Sequence, residues 1–442
     1  MRMRLKKYAA LLLVATLVLS LMSGCFNKSL DELYALPRLS DEYVQLQREI
    51  DAILSSGAEY SAPTSGSYRQ AVQFEDIDSD GEKEALVFYA VPGDDMPLKV
   101  AIFENDGETY TRAAGIEGSG SDIKSIEYLD MDGDGMYEII MGWQIASGVS
   151  MLAGYSLVDY QVVQLFSCSY TAYISCFKGE HGASVAAVGP SASENQSEAT
   201  VYSLIDGDIE VGSARLSAGA GAVSNIKYSP LSDGVNGLFI ECAIDESSLV
   251  TDILAYERGA LSNVSLRSAS GVSQGTVRTY GILSADIDTD GVIEVPNPVK
   301  LPSQPEVGNY WLIEWYAFDS TGSRTLKKTT YHNYSDGWYL ELPKGWSDNI
   351  SVRRDASVSG ERTMIFSYRN GDAREIDFLA IYALSGDNRA ERSMLSGRKA
   401  LAERNNVIFA QEILGGAKKL PISVNEEEIT GGFHIIFSDV NT

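Results

Sequence analysis

Three nine-residue segments with one shared spacing of acidic residues constrain the fold of this chain more than any other feature. They are residues 76–84, 130–138 and 286–294, and each has carboxylates at positions 1, 3, 5 and 9 with glycine at position 6. Carboxylates packed this closely repel one another unless a cation lies between them. Oxygen ligands around a turn glycine suit Ca²⁺, so each segment is predicted to be a calcium loop, named here loops 1, 2 and 3.

The predicted ligands are the four carboxylates of each loop and the backbone carbonyl at position 7. They are Asp76, Asp78, Asp80, Glu82 and Glu84 in loop 1; Asp130, Asp132, Asp134, Met136 and Glu138 in loop 2; and Asp286, Asp288, Asp290, Val292 and Glu294 in loop 3. An EF-hand would also need a bidentate glutamate at position 12 and a helix on each side. Position 12 is Val87, Met141 or Asn297, and short apolar runs of strand type flank the loops, which therefore join strand to strand.

This strand–loop–strand arrangement resembles the calcium loops of FG-GAP and VCBS-type blades, as in the propellers of integrin alpha subunits. The shared pattern is Asp-x-Asp-x-Asp-Gly-x-x-Glu followed by a buried strand, here residues 85–91 after loop 1. The resemblance implies a β-propeller in which each ion braces a turn between two strands. The alternative is a role in ligand recognition, but carboxylates saturate each ion, which favours the bracing role.

The spacing of the loops predicts a repeat. Asp-Gly pairs begin at 80, 134 and 290, which are 54 and 156 residues apart, and 156 is three periods of 52. Turns that have lost most ligands occur where this period predicts, at 178–182 and 232–234, each followed by an apolar strand. The first unit has predicted strands at 68–74, 85–91, 99–104 and near residue 110. The expected fold is mainly β, a β-propeller of about five four-stranded blades over residues 67–332.

The first 24 residues have the pattern of a secretory signal peptide. Four basic residues precede an uncharged run over 8–24, and the segment ending at Cys25 resembles a bacterial lipobox. The resemblance implies acylation of Cys25 and lipid anchoring at the extracytoplasmic face of the cell membrane. The alternative is a plain transmembrane anchor or an uncleaved signal, but a span needs about 20 apolar residues. Residues 25–66 are then a lipidated tether and a helix, which has helical spacing of apolar residues over 40–56.

Composition argues against a nucleic acid partner and against a disulfide framework. The formal net charge is −26, and loss of the signal would leave 31 of the 35 Lys and Arg residues against 61 Asp and Glu. Phosphate binding needs a basic face, so no nucleic acid partner is expected. Cys168, Cys176 and Cys242 are an odd number, and buried thiols are favoured over a Cys168–Cys176 pair.

Residues 333–442 are predicted to form a small α+β domain. The proline-dense segment 295–305 before it reads as a loop that projects from the last blade. Asn405 and Asn406 predict a hairpin turn, because asparagine tolerates left-handed φ. Ser423 and Glu426 have the spacing of a capping box that would open a C-terminal helix.

Four of the five tryptophans lie between residues 311 and 346. Trp311, Trp315 and Trp338 are candidates for a platform that binds sugars or peptides through flat rings with a polar edge. The alternative is a buried aromatic core between the propeller and the C-terminal domain.

No catalytic constellation stands out. The chain has three histidines, His181, His332 and His434, far apart and without a nearby nucleophile elbow. The sequence therefore predicts a non-enzymatic calcium-binding surface lipoprotein, whose propeller is a binding scaffold for a protein or a cell-envelope ligand. The alternative is a carbohydrate-binding or hydrolytic envelope protein, because acidic pairs suited to glycosidase chemistry are frequent in so acidic a chain.

Overall fold

The structure is a computed structural model, and it describes residues 41–158, 161–179, 182–191, 196–218, 221–279, 281–301, 310–369 and 375–436. The predicted signal peptide and Cys25 lie outside these residues. None of the helices within them combines the length and the apolar character needed to cross a membrane. Among the described residues, one compact unit contains 41–62, 71–76 and 80–117, and a second contains 63–70, 77–79 and 118–436.

The first unit pairs the predicted helix with one antiparallel sheet. Helix α1 (Asp41–Ser55) matches the expected span, and it buries Leu46 and Ile50 in a core that includes Val87 and Phe103. Sheet 1 contains β1 (Glu59–Tyr60), β2 (Val72–Glu75), β3 (Glu84–Ala90), β4 (Leu98–Asn105) and β5 (Tyr110–Gly118), with both β1 and β2 paired to β3. Its four longer strands lie close to those that the first repeat predicts.

The second unit contains five further sheets, of which three are simple four-stranded meanders. Sheet 2 is β6 (Asp122–Leu129), β7 (Glu138–Ala146), β8 (Val149–Val158) and β9 (Gln161–Tyr170); sheet 3 is β10 (Ala172–Gly179), β11 (Gly182–Pro190), β12 (Ser197–Ile205) and β13 (Asp208–Arg215); sheet 4 is β14 (Val223–Pro230), β15 (Asn236–Ala243), β16 (Leu249–Glu257) and β17 (Ala260–Asn263). The ligand-poor segment 232–234 lies between β14 and β15, as expected, and the segment 178–182 falls where β10 ends and β11 begins, with residues 180 and 181 outside the described residues.

Sheets 5 and 6 are five-stranded. Sheet 5 has β18 (Val295–Lys300), β19 (Trp311–Phe318), β20 (Arg324–Asn333), β21 (Trp338–Glu341) and β27 (Phe433–Ile435) in that order; sheet 6 has β22 (Ile350–Asp355), β23 (Glu361–Tyr368), β24 (Ile376–Leu384), β26 (Val407–Ile413) and β25 (Arg398–Arg404) in that order. Sheet 5 takes strands from both sides of the boundary predicted after residue 332. The chain is thus mainly β, built of antiparallel sheets of four or five strands.

Consecutive sheets of the second unit share hydrophobic cores. Each core is made of inward-facing residues from two neighbouring sheets, as expected for aligned sheet packing. The cores include Leu152 and Val185 for sheets 2 and 3, Val201 and Leu254 for sheets 3 and 4, Phe239 and Phe318 for sheets 4 and 5, and Trp338 and Phe366 for sheets 5 and 6.

The prediction of a projecting proline loop is wrong for residues 295–300. These residues form β18, which lies at the edge of sheet 5 and pairs Pro296 with Trp315 and Pro298 with Ile313. The two prolines are two positions apart, so their missing N–H groups fall on the same side of the strand. An edge strand tolerates this because one of its sides has no partner strand.

The C-terminal elements confirm one local prediction and correct another. Asn405 and Asn406 form the hairpin turn between β25 and β26, with φ of 49° and 62°. Helices α2 (Arg389–Ser393) and α3 (Glu426–Gly432) are short. The predicted cap Ser423 is wrong, because α3 begins after Asn425, whose side chain accepts the N–H of Glu427 at 2.8 Å.

Candidate metal centres

The backbone takes the same unusual conformation in all three loops. Residues at position 6 are glycines with positive φ, and residues at position 4 also have positive φ. The angles are 59° and 98° for Ser79 and Gly81, 80° and 91° for Gly133 and Gly135, and 60° and 87° for Thr289 and Gly291. The sequence analysis did not predict the left-handed conformation at position 4. Only Gly133 of loop 2 is a residue that favours it. A β-branched threonine is strained in this region, so loop 3 stores strain that loop 2 avoids.

Loop 2 brings its three aspartates together. Carboxylate oxygens of Asp130, Asp132 and Asp134 lie within 4.8 Å of one another. Asp130 accepts the N–H groups of Gly133 and Gly135 at 2.6 and 3.1 Å, one on each carboxylate oxygen. The turn thus positions its carboxylates through its own amides, in the manner of an Asx turn.

Loop 3 gathers Asp286, Asp288 and Asp290 within the same 4.8 Å, and Asp286 accepts the N–H of Gly291 at 2.9 Å. A lysine from β20 also reaches this loop. The ammonium of Lys327 lies 2.7 Å from Asp290 and 3.8 Å from Asp288. Its hydrogen bond to Asp290 raises the lysine pKa and lowers the aspartate pKa. A calcium ion in loop 3 would compete with this cation, which the sequence did not reveal.

Loop 1 is divided between the two compact units. Within the first unit, Gly81 donates its N–H to Asp76 at 3.2 Å, and Glu82 donates its N–H to Asp80 at 2.8 Å. These bonds repeat the Asx turns of the other loops. Residues 77–79, with the predicted ligand Asp78, belong to the second unit. Among the residues assigned to that unit, Tyr137 of loop 2 donates its N–H to Ile77 at 2.7 Å.

The backbone N–H at position 7 makes the same hydrogen bond in every loop, to the aspartate at position 5. Met136 donates its N–H to Asp134 at 2.8 Å, and Val292 donates its N–H to Asp290 at 2.9 Å. The residue at position 7 is therefore fixed against position 5. The predicted use of its carbonyl as a ligand stays a prediction.

The glutamates at position 9 are buried beneath the turns. Glu138 is 4% exposed and Glu294 is 0% exposed. Each accepts the N–H of position 2, from Met131 at 2.9 Å and from Ile287 at 3.0 Å. Burial, reinforced by the nearby aspartates, raises the pKa of each glutamate to about 7. Without a cation, burial and the nearby negative charges make the ionised form of each glutamate unfavourable.

Two buried oxygens of loop 3 point to a metal ligand role. Oε1 of Glu294 and Oδ1 of Asp288 are buried and have no hydrogen-bond partner among the described residues. Burying a carboxylate oxygen without a donor costs free energy unless a cation compensates it. The donors are all oxygens, so the set fits Ca²⁺ rather than a metal that prefers sulfur or imidazole.

The aromatic platform is not present as predicted. Trp315 and Trp338 are 2% and 1% exposed. The ring N–H of Trp315 donates to Thr330 at 2.8 Å, and Trp338 packs in the core between sheets 5 and 6. Their assignment to a binding surface is therefore wrong. The alternative of a buried core with the C-terminal elements holds for Trp338, whereas Trp315 packs in a separate core with Ile282 and Ile313. Trp311 is half-buried at the start of β19.

The three cysteines of the described chain are free thiols. Cys176 and Cys242 are buried, and Cys168 is partly buried. Burial raises the pKa of Cys176 and of Cys242 to about 12, so neither thiol is ionised near neutral pH. Cys176 and Cys242 serve as small apolar side chains in the core between sheets 3 and 4.

The buried histidine His332 is expected to lower the free energy of unfolding in acid. Its ring stacks on Tyr339 with a centroid distance of 4.9 Å, and burial lowers its pKa from 6.5 to about 4. The folded protein therefore holds this histidine neutral. Its stabilising contribution is present above the unfolded pKa and is lost as pH falls from about 6.5 to 4.

We expect wild type to lose about 1–3 kcal/mol of the free energy of unfolding from this group over that window. The urea denaturation midpoints of wild type and His332→Gln at pH 7.5 and 5.0 test this expectation. If the midpoint falls by the same amount in both proteins between the two pH values, the expectation is wrong.

Comparisons with known proteins identify no family for this chain. No protein-family model matches it. No curated protein matches it either. Among solved structures, it is weakly similar to a GDP-Man-dependent mannosyltransferase from Leishmania mexicana, with 12% identity over 57% of this chain and 84% of the other and a TM-score of 0.22. So low a score carries no argument about fold or activity.

Proposed function

We propose that this protein is a non-enzymatic, calcium-binding surface scaffold, anchored by a lipid on Cys25 at the extracytoplasmic face of the membrane. Calcium in the acidic loops stabilises turns between strands, and the sheets present a binding face to a protein or cell-envelope partner. The lipid anchor follows from the sequence pattern alone. The calcium assignment has the structural support described next.

The observation that carries the proposal is the buried glutamate at position 9 of loops 2 and 3. In each loop it accepts the backbone N–H of position 2 and lies beside the three aspartates of the turn. In loop 3 its other oxygen has no donor among the described residues. A divalent cation would coordinate that oxygen and offset part of the negative charge of the aspartates. A turn held in this way fixes the two strands that it joins.

A propeller is the architecture that we propose for the repeat. Four-stranded meanders follow one another along the chain, and consecutive sheets of the second unit share cores. Both features are expected of propeller blades. The loops occupy equivalent places: loop 2 lies between β6 and β7, and loop 3 lies between the bridge residue Ala285 and β18.

Calcium binding is the test of this proposal. We expect isothermal titration to show binding with a Kd of about 0.1–1 mM, the range of extracellular calcium modules. At about 1 mM calcium each occupied site then adds about 0.4–1.4 kcal/mol to the free energy of unfolding. Chelation should lower the melting temperature at constant ionic strength. Loop 2 should bind more tightly than loop 3, because Lys327 competes for Asp288 and Asp290.

Single-loop variants assign the sites. Asp132→Ala should remove one equivalent of bound calcium and part of the calcium-dependent rise in melting temperature. Asp122→Ala is the matched control, because it removes the same charge from the exposed start of β6 outside the loops. If wild type bound no calcium at 2 mM, or if both variants kept the full stoichiometry, the proposal would be wrong.

A further inference from the structure

A groove of about 370 Å³ lies beside loop 2 in the second unit. Its apolar wall comes from the ends of β8, β9 and β12, and its other wall comes from the loops. The residues that carry the argument are Leu157, Val158, Val163, Leu165, Asp132 and Asp134. Its size is near the lower end of the range of about 300–1,000 Å³ for ligand pockets, so it suits a few side chains.

The apolar wall is exposed to solvent. Val158 is 57% exposed and Val163 is 45% exposed, and Met136 and Tyr137 of loop 2 are exposed beside them. Single exposed apolar residues are ordinary, but several that line one groove are typical of an interaction site. Covering this wall would therefore remove apolar surface from water, which favours binding.

The wall that the loops form is acidic. Asp132 and Asp134 line it, together with Asp78. The four carboxylates of loop 2 carry more negative charge than one Ca²⁺ carries positive charge, so this wall stays negative with or without the ion. A ligand that fits both walls has a cationic group next to apolar side chains. An anionic ligand would be repelled by the loop and by the strongly acidic chain around it.

We propose that this groove binds an extended segment of a partner protein in which basic and apolar side chains alternate. The basic side chains face the acidic wall, and their apolar neighbours cover Val158 and Val163. In an extended segment alternate side chains point to opposite faces, so one face can meet the wall and the other the carboxylates. This inference rests on the proposed scaffold function, because it names the class of partner and the place where it binds.

The test is fluorescence anisotropy with labelled six-residue amidated peptides. The first alternates lysine and valine, the second lysine and serine, and the third glutamate and valine. We expect wild type to bind the lysine–valine peptide, to bind the lysine–serine peptide at least about tenfold more weakly, and not to bind the glutamate–valine peptide. Equal binding of the two lysine peptides, or no binding of the lysine–valine peptide, would overturn the proposal.

Two variants of one strand locate the site. Val158→Lys places a cation in the groove and should weaken binding of the lysine–valine peptide at least about tenfold. Val149→Lys is the matched control, because Val149 is 49% exposed at the opposite end of the same strand β8. It should change the Kd less than about twofold. Equal weakening by both variants would overturn the assignment to this groove.

Calcium titration of the same proteins separates this inference from the proposed function. Val158→Lys should bind calcium with the wild-type stoichiometry, which also shows that the variant is folded. A wild type that binds calcium but not the lysine–valine peptide refutes the groove and leaves the calcium scaffold standing. A wild type that binds the peptide but not calcium refutes the calcium scaffold and supports the groove.

Discussion

Replacing Arg278 with leucine is expected to lower the free energy of unfolding by about 3–5 kcal/mol. Arg278 and its partner Glu241 are each 1% exposed, and their side chains form a direct ion pair. Breaking a buried pair by removing one partner leaves the other charge in a low-dielectric interior without compensation. The loss is therefore far larger than the net contribution of the pair itself.

The surroundings of the pair increase the expected loss. Glu241 also accepts the backbone N–H of Ser284 at 2.8 Å and the hydroxyl of Thr251 at 3.3 Å. Arg278 donates to the carbonyls of Ile282 at 2.7 Å and Thr276 at 3.0 Å. The pair thus attaches the irregular segment after β17 to strands β15 and β16. Without the guanidinium these carbonyls lose their donors inside the protein.

A surface ion pair of good geometry is the matched control. Arg353 and Asp377 form two hydrogen bonds of 2.7 and 2.8 Å, with side chains 37% and 41% exposed. Arg353→Leu should cost only about 0.2–1 kcal/mol, because water solvates the remaining carboxylate. Urea denaturation of wild type and both variants measures the difference. If Arg278→Leu shifts the midpoint no more than Arg353→Leu does, the buried pair does not act as described.

The structural features that were predicted correctly from the sequence are those that a few neighbouring residues determine. The apolar spacing around Leu46 and Ile50 is enough to place α1, and Asn405 with Asn406 is enough to place a hairpin turn. The turns of the acidic loops are of the same kind, since the acidic spacing and the turn glycine lie within nine residues, whereas the binding of calcium there stays a prediction. Their period also located two turns that lack the ligands. Local rules are sufficient in these cases because the constraint acts within one strand–turn–strand segment.

The features that the sequence did not predict depend on residues far apart in the chain. Lys327 reaches Asp290 across 37 positions, and Arg278 reaches Glu241 across the same separation. Strand β27 pairs with β21 after almost a hundred residues of chain. A lone lysine or arginine has no periodicity to reveal its partner. The burial of Trp315 and Trp338 was likewise decided by the sheets that cover them, because an aromatic strand can face a core or a ligand equally well.

A close contact between residues far apart in the chain also makes Gly182 sensitive to substitution. This residue opens β11 with φ of +83°, and a Cβ there would lie 2.3 Å from the carbonyl carbon of Met131 and 2.5 Å from the amide nitrogen of Asp132. The next residue, Ala183, donates its N–H to the carbonyl of Asp130 at 2.9 Å. The start of β11 therefore lies directly against the backbone of loop 2.

Gly182→Ala is expected to lower the free energy of unfolding by about 2–4 kcal/mol. About 1–2 kcal/mol comes from placing a Cβ in the left-handed region. The rest comes from overpacking against backbone atoms that cannot rotate away. Because the displaced atoms belong to Met131 and Asp132, the variant should also weaken calcium binding at loop 2. Urea midpoints and calcium titration of the same protein measure the two effects.

Gly207→Ala separates the two causes. Gly207 has the same φ of +83°, and a Cβ there would meet no heavy atom within 4 Å. This control should show the conformational cost of about 1–2 kcal/mol alone, with calcium binding unchanged. If both variants lose the same stability and keep the same calcium affinity, the contact between β11 and loop 2 does not constrain the metal centre. If Gly182→Ala alone loses affinity, a turn of the repeat without its own calcium ligands positions the ligands of its neighbour, which explains how such turns persist within the repeat.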